Sequence, residues 1–274
     1  MAFTLGPRAI SAGYRLAAFD HIGSTNAEAL SRARDGERGP IWFVTSEQTA
    51  GRGRAGRSWL SAPGASLTFS IAWPFFLSPQ SLLGLPLVIG VALAQALSSL
   101  DVKVQLKWPN DVLKDGKKLA GVLIETVSQP QPLYPHQQQT WAVIGIGLNL
   151  LMPEELEQQI DRPVAEAAWL AQMDRNQLLA KLMHYLAFSL RQFSVSGFGT
   201  FVPIWNNLHA YAGQQVDILD QGKIIMQGRA LGVDGSGCLM LQDQYGSVSH
   251  VTAGDVSLRP GHVDLTLGSP KGPE

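Results

Sequence analysis

The chain has 274 residues, of which 45% are hydrophobic and 16% charged, so it can bury a sizeable core and is not a disordered chain. Its net charge of −1 gives the whole molecule no electrostatic grip on nucleic acid, although local basic segments remain open. One cysteine, Cys238, excludes an internal disulfide and fits a reducing compartment, and six scattered histidines leave no structural zinc spacing.

The opening MAFTLGPRAISAGYRL lacks the basic, apolar and small-residue succession of a secretory leader, so a cytoplasmic location is expected. FDHIG is strand-like; Ser24, Thr25 or Asn26 then offers a cap for a helix over Ala27–Arg34, stopped by Gly36. IWFVTSEQ (41–48) reads as a strand, and SLTFSIAW (66–73) alternates as another. No charged residue occurs from Ser58 to Leu100. That run predicts a buried helix over 82–100 rather than a membrane span, because Pro86, Gln95, Ser98 and Ser99 interrupt it and no basic cluster or aromatic belt flanks it. VKVQLKWPND, a turn at KDGKK and the strand LAGVLIETV (119–127) suggest a hairpin.

The proline- and glutamine-rich stretch 128–139 reads as a surface loop, and WAVIGIGLNL (141–150) resumes the sheet. Residues 174–193 carry apolar positions at helical spacing with Asp174 as cap, and a second helical stretch follows in FGTFVPIWNNLHAY. After Gly213 short β-runs alternate with turn signals, the pattern of a small barrel. The expected architecture is therefore α+β: a mixed β-sheet with helices over 1–212, a small β domain over 213–262 and a tail over 263–274.

Four segments carry the chemistry. GRGRAGRSW (51–59) interleaves three glycines, which let backbone amides approach a ligand, with three arginines whose forked donors suit carboxylate and phosphate. KWPND (107–111) sets a lysine, an indole, an amide and a carboxylate around a proline. KKLAGVLIE (117–125) takes two lysines into an apolar strand at a small-residue step, and GIGLN (145–149) ends a β-run with glycines and an asparagine. A lysine entering such a strand needs an anionic partner or a route to water, so Lys118 is either a site residue or a strand-end lysine reaching solvent. Lys107 and Asp111 carry the same double reading, Asp111 as a turn or cap residue.

With STN at 24–26, these segments stand in an order and spacing that resemble the biotin protein ligases: STN, EQTAGRGRAGRSW, KWPNDV, KLAGVLIE and IGIGLN. The resemblance covers residues 19–150 in motifs and extends loosely to 260, where SLR (Ser257 to Arg259) matches the end of that family's SH3-like domain. It implies a class II synthetase-like catalytic sheet that joins biotin to ATP as biotinyl-5′-adenylate and passes biotin to a lysine of a biotin carboxyl carrier protein. By motif position, the biotin pocket would use Ser24, Thr25, Asn26, Gln48, Arg52, Gly53, Arg54, Lys118 and Gly121. Gly51, Arg54, Arg57, Trp59, Lys107, Asn110 and Asn149 would lie at the nucleotide end, with core packing as the other role for Trp59. Lys118 and Arg54 would be catalytic. Mg²⁺ would arrive with the ATP phosphates, near Asp111, without a dedicated protein site.

The same resemblance leaves a homodimer open and, since only 23 residues precede STN, leads us to expect no DNA-binding domain. No membrane partner is expected. Three rival readings stand beside it: a lipoate protein ligase, a non-catalytic biotin sensor, and an RNA- or protein-binding module. The last is disfavoured by residues 213–260, whose full positive charges are Lys223, Arg229 and Arg259 and whose aromatic beside His250 is Tyr245.

Overall fold

A computed structural model of the chain describes residues 3–37, 39–128, 139–160, 164–254 and 256–261. Most of the expected proline–glutamine loop and the expected tail lie outside these residues. The elements begin with α1 (Pro7–Ser11), β1 (Arg15–Ile22), α2 (Thr25–Arg34), β2 (Ile41–Gln48), β3 (Ser66–Phe75) and α3 (Leu85–Ser98). Then come β4 (Gln105–Lys107), β5 (Asp111–Lys114), β6 (Lys117–Ser128), β7 (Thr140–Asn149), α4 (Glu154–Glu157), α5 (Arg175–Ser196) and α6 (Val202–Asn207). Five further strands close the chain: β8 (Gln215–Asp220), β9 (Lys223–Val233), β10 (Leu239–Gln242), β11 (Val248–Val251) and β12 (Ser257–Pro260).

The first seven strands form one mixed sheet in the order β1-β2-β3-β7-β6-β5-β4, with β1 and β2 parallel and the other pairs antiparallel. Alternation along each strand sorts the side chains onto two faces. Trp42 and Val44, Ile71 and Trp73, and Ala142 and Ile144 share the core with α3 and α5, which pack on each other. Ile41, Phe43, Ala72, Trp141 and Val143 form a separate cluster with Ala29, Leu30 and Ala33 of α2. Further along that second face the same strands turn small and polar: Thr68 and Ser70 on β3, Gly145 and Gly147 on β7, and Gly121 on β6, paired Ser70 with Gly145, Thr68 with Gly147 and Gly121 with Gly147. The sequence thus stops filling this face where α2 ends.

The charge-free stretch behaves as a core helix. Eleven of the fourteen residues of α3 are buried, with Pro86 in its first turn. The span Pro79–Ser98 is long and apolar enough to cross a membrane, yet 72% of its 18-residue apolar window is buried inside the protein. A fully buried leucine, valine or isoleucine contributes roughly 1.5–3 kcal/mol, which accounts for where this helix lies. α5 starts on its Asp174 cap, whose carboxylate accepts from the Gln177 N–H at 2.9 Å, and ends at Gly197 with φ 65°.

The second expected helix is much shorter. A 3₁₀ turn at Gly199–Phe201 leads into α6, which admits Pro203 in its first turn and ends after six residues. The chain leaves the helix because neighbours claim its backbone: Leu208 O accepts from Leu106 N at 2.7 Å and Ala210 N donates to Leu106 O at 2.9 Å. Asn206 meanwhile bonds both N–H and C=O of Val233, at 2.8 and 3.2 Å. α1 and the first half of β1 went unread in the sequence.

The last five strands form an all-antiparallel sheet, β11-β10-β9-β8-β12, as an SH3-like domain requires. Its interior includes Val216, Ile218, Ala230, Leu239, Leu241 and Leu258. The indole N–H of Trp108 donates to Gly237 O at 3.2 Å, joining the KWPND turn to this second sheet.

Candidate active site

The cleft lies on the half of the sheet that α2 leaves bare, and glycine is what makes room for it. A Cβ on Gly145 would sit 2.3 Å from Asn26 Oδ1, one on Gly147 2.2 Å from the Trp59 indole, and one on Gly121 2.7 Å from Lys118 Nζ. Real Cβ atoms do not approach so closely, so Gly145 and Gly147 are the condition for Asn26 and Trp59 to lie flat on the sheet, while at Gly121 the flexible end of Lys118 would have to swing aside.

Segment 51–59 folds back over this floor as a tight hairpin. Trp59 N donates to Gly51 O at 2.9 Å, Arg52 bridges Ser58, and Gly53 N donates to Arg57 O at 2.6 Å. The tip turns through Ala55 and Gly56, both at positive φ. Gly51 does not line the cleft; it is needed at the base, where a Cβ would meet Trp59 O at 2.3 Å and Gln48 Nε2 at 2.8 Å. The Trp59 ring lies 6.0 Å from Lys118 Nζ, and its own N–H is buried without a protein partner.

One wall is a continuous polar chain. Ser24 caps α2 by accepting from Ala27 N. Gln48 Oε1 accepts from both the N–H and the hydroxyl of Thr25, at 2.8 and 3.0 Å. Ser70 Oγ lies 2.7 Å from Thr25 Oγ1 and 2.6 Å from Asn26 Oδ1, its one hydroxyl proton shared between these two neighbours, and Asn26 Nδ2 donates to Glu125 Oε2 at 2.9 Å. Thr25, Asn26, Gln48 and Ser70 are buried, and buried polar groups held this way are rigid.

Charge lines the other walls. Among the described lining residues Arg52, Arg54, Arg57, Lys107, Lys118 and Arg259 border the cleft, with Asp111 as the carboxylate among them. A chain of net charge −1 therefore concentrates cations at one place, where low-dielectric walls focus their field. Lys118 does not reach out to water: it is 15% exposed and its Nζ stands 2.5 Å from Asp111 Oδ1, itself 13% exposed. That partner offsets the cost of bringing an ammonium into the sheet. Arg54 donates to Asn110 Oδ1 at 3.0 Å and to the carbonyls of Val256, at 3.3 Å, and Gly254, so the hairpin tip is held by the second sheet's chain. Asn110 in turn donates to Val122 O at 2.7 Å.

Of the expected site residues, Ser24, Thr25, Asn26, Gln48, Arg52, Gly53, Arg54, Arg57, Trp59, Lys107, Asn110, Asp111, Lys118 and Gly121 line this one cleft. Asn149 stands beside it, donating to Lys118 O at 3.3 Å and lining a neighbouring depression with Tyr211 and Arg259. Burial raises the Tyr211 phenol above its usual value; Arg259 opposes that and Asp111 adds to it. Sequence reading named Gly145 and Gly147 only within GIGLN and Arg259 only as the end of SLR, with no site role for any of the three, and missed Thr68. Thr68 was legible as a polar residue alternating with bulky ones in SLTFSIAW.

Among the described residues there is no group of three or more His, Cys, Asp and Glu side chains placed to hold a metal. Among the described residues lining the cleft, Asp111 is the one carboxylate, with Glu125 behind Asn26 and Arg52. That donor set fits a Mg²⁺ carried on phosphates, which needs only one or two protein carboxylates.

A glycine-floored cleft with a neutral polar wall at one end and a cationic rim at the other defines a site for a ligand with a polar head and an anionic tail. Residues 21–149 match the family described as Biotin/lipoate A/B protein ligase family, and residues 211–259 match the Biotin protein ligase C terminal domain. The Bifunctional ligase/repressor BirA of Salmonella typhimurium is 34% identical over 87% of this chain and 72% of its own length. The Biotin--[acetyl-CoA-carboxylase] ligase of Mycobacterium tuberculosis is 32% identical over 85% of each. The solved structure of a biotin protein ligase from Aquifex aeolicus, in complex with biotin and ATP, superposes with a TM-score of 0.72 at 28% identity, covering 90% of this chain and 99% of that one. The chain belongs to the biotin protein ligase family.

Proposed function

We propose that the chain activates biotin with ATP as biotinyl-5′-adenylate and then transfers biotin to one lysine of a biotin carboxyl carrier protein. The observation that carries this reading is the single cleft that joins a neutral polar wall to six cations, with Lys118 at their boundary on the glycine floor. The ligand of the Aquifex aeolicus structure is biotin with ATP, and the Mycobacterium tuberculosis relative is named for acetyl-CoA carboxylase.

The chemistry needs no protein nucleophile. A biotin carboxylate oxygen attacks the α-phosphorus, the bond to pyrophosphate breaks, and an acceptor amine later attacks the acyl carbon with AMP as leaving group. Both reactants of the first step are anions, so the catalyst must neutralise repulsion and support charge on a crowded phosphorus. Lys118 is placed for that, and on ligand entry would exchange Asp111 for the carboxyl and phosphate oxygens. Thr25, Asn26 and Gln48 would take the ureido ring, whose N–H and C=O groups match their mixed donors and acceptors. The 51–59 hairpin with Arg54 would close over the adenylate and exclude water from a hydrolysable mixed anhydride. Asp111 would be the residue to hold a Mg²⁺ arriving with the ATP phosphates, which would supply further charge neutralisation. On this reading residues 1–212 act as the catalytic unit and 213–262 as its companion, in the reducing cytoplasm that the lone free Cys238 suits.

Biotin-dependent ATP–pyrophosphate exchange by the purified protein tests the first half-reaction, with lipoate run in parallel. Exchange with biotin and not lipoate is expected. Exchange with lipoate alone would reassign the pocket, and silence with both in folded protein would turn the reading to a biotin sensor.

A further inference from the structure

Glu125 has no part in the chemistry above, yet it stands where the hairpin meets the pocket wall. It lies on β6 at the second alternate position after Gly121, on the same sheet face, with 28% of its side chain exposed. Its Oε2 accepts from Asn26 Nδ2 at 2.9 Å, and its two oxygens accept from Arg52 Nη2 at 3.2 and 3.1 Å. Asn26 continues through Ser70 to Thr25 and Gln48. The hairpin has other anchors: its base is paired through Gly51 and Trp59, and its tip is held by Asn110 and by Gly254 and Val256. Only Glu125 ties it by side chains to the polar wall, among the described contacts.

We propose that Glu125 is a positioning residue of the adenylation site, whose carboxylate couples the Arg52 arm of the hairpin to Asn26, so that the polar wall and its cover hold the ligand as one unit. The proposal rests on the function given above. A carboxylate is required rather than a neutral acceptor: Asn26 asks for one hydrogen bond that an amide oxygen could accept, whereas Arg52 asks for a negative charge within reach of its guanidinium. The ion pair is half-exposed on the arginine side, so its effect is modest and falls on how long the bound intermediate is kept rather than on bond making.

The test is a comparison of wild type, Glu125→Gln, Arg52→Gln and the double variant. For each, pyrophosphate exchange and the dissociation rate of preformed biotinyl-adenylate are measured, along with the thermal midpoint. Glu125→Gln is expected to release the adenylate about three- to fivefold faster, the size of a partly exposed ion pair, with an unchanged midpoint. The Glu125 and Arg52 effects should not add in the double variant. An adenylate dissociation rate equal to wild type, or effects that simply add, would overturn the coupling while leaving the ligase reading intact. Absence of biotin-dependent exchange in the wild type would instead remove the function on which it stands.

Discussion

Lys118 is the residue on which most depends. Its pairing with Asp111 at 2.5 Å holds an ammonium at the cleft floor, and the residue types around it were all legible in KKLAGVLIE and KWPND. Lys118→Ala is expected to lower adenylate formation about 10²–10³-fold, the range for removing one charge-stabilising donor, with a modest loss of biotin affinity. Pyrophosphate exchange and titration calorimetry separate the two effects, and undiminished exchange would take Lys118 out of catalysis. Ser70 and Glu125 were not legible as site residues, because their roles arise from cross-strand register and no local spacing announces it.

His209 makes a different prediction at the same scale. It is 4% exposed, its ring lies tilted against Trp205 with centroids 4.8 Å apart, and among the described residues neither ring nitrogen has a partner. Burial lowers its pKa to about 4. The unfolded chain would bind this proton near pH 6.5, so the folded state's advantage is full above that pH and is lost as pH falls towards 4. The loss across that window is roughly 1.4 kcal/mol per pH unit. Urea midpoints at pH 7.5 and 5.0 should therefore fall less in His209→Leu than in wild type. Equal falls would show that His209 does not titrate this way.

Elements tell where a sequence reading succeeds. The strands of the larger sheet and helices α2, α3 and α5 were readable because alternation, caps and apolar spacing are local signals, and the observed ends moved by only a few residues. The expected helix after residue 198 came out short because β4 and Val233 claim its backbone and its Asn206, partners that lie far away in sequence. The glycines of GIGLN were visible, but their purpose was not: it is set by Asn26 and Trp59 lying across them. Gly147→Ala would put a methyl 2.2 Å from the Trp59 indole. Overpacking of this kind costs about 1–3 kcal/mol, or the ring must move. A shift in tryptophan fluorescence together with weakened biotin binding is expected, and a variant matching wild type in both would deny the ring its place on the floor.

At the scale of the whole molecule, both sheets could be foreseen but not their junction. Arg54 crosses it, running from the hairpin tip to the backbone at Gly254 and Val256. Arg54→Gly should therefore shed biotinyl-adenylate faster while leaving the thermal midpoint within about a degree or two, as expected when a partly exposed contact is lost. Retention equal to wild type would mean that the second sheet does not help to hold the hairpin shut.

The burial of α3 also has a temporal side. It packs against α5, which is not made until Arg175–Ser196 has been synthesised. At ~5–20 residues per second a ribosome leaves the most apolar segment of the chain uncovered for several seconds. During that interval Pro79–Ser98 is long and apolar enough for a lipid bilayer, and only its Pro86, Gln95 and Ser98 and the lack of flanking basic or aromatic anchors set it apart until α5 is made. Fragments that stop short of Arg175 should accordingly be insoluble, or captured by holding chaperones, even though they contain most of the larger sheet.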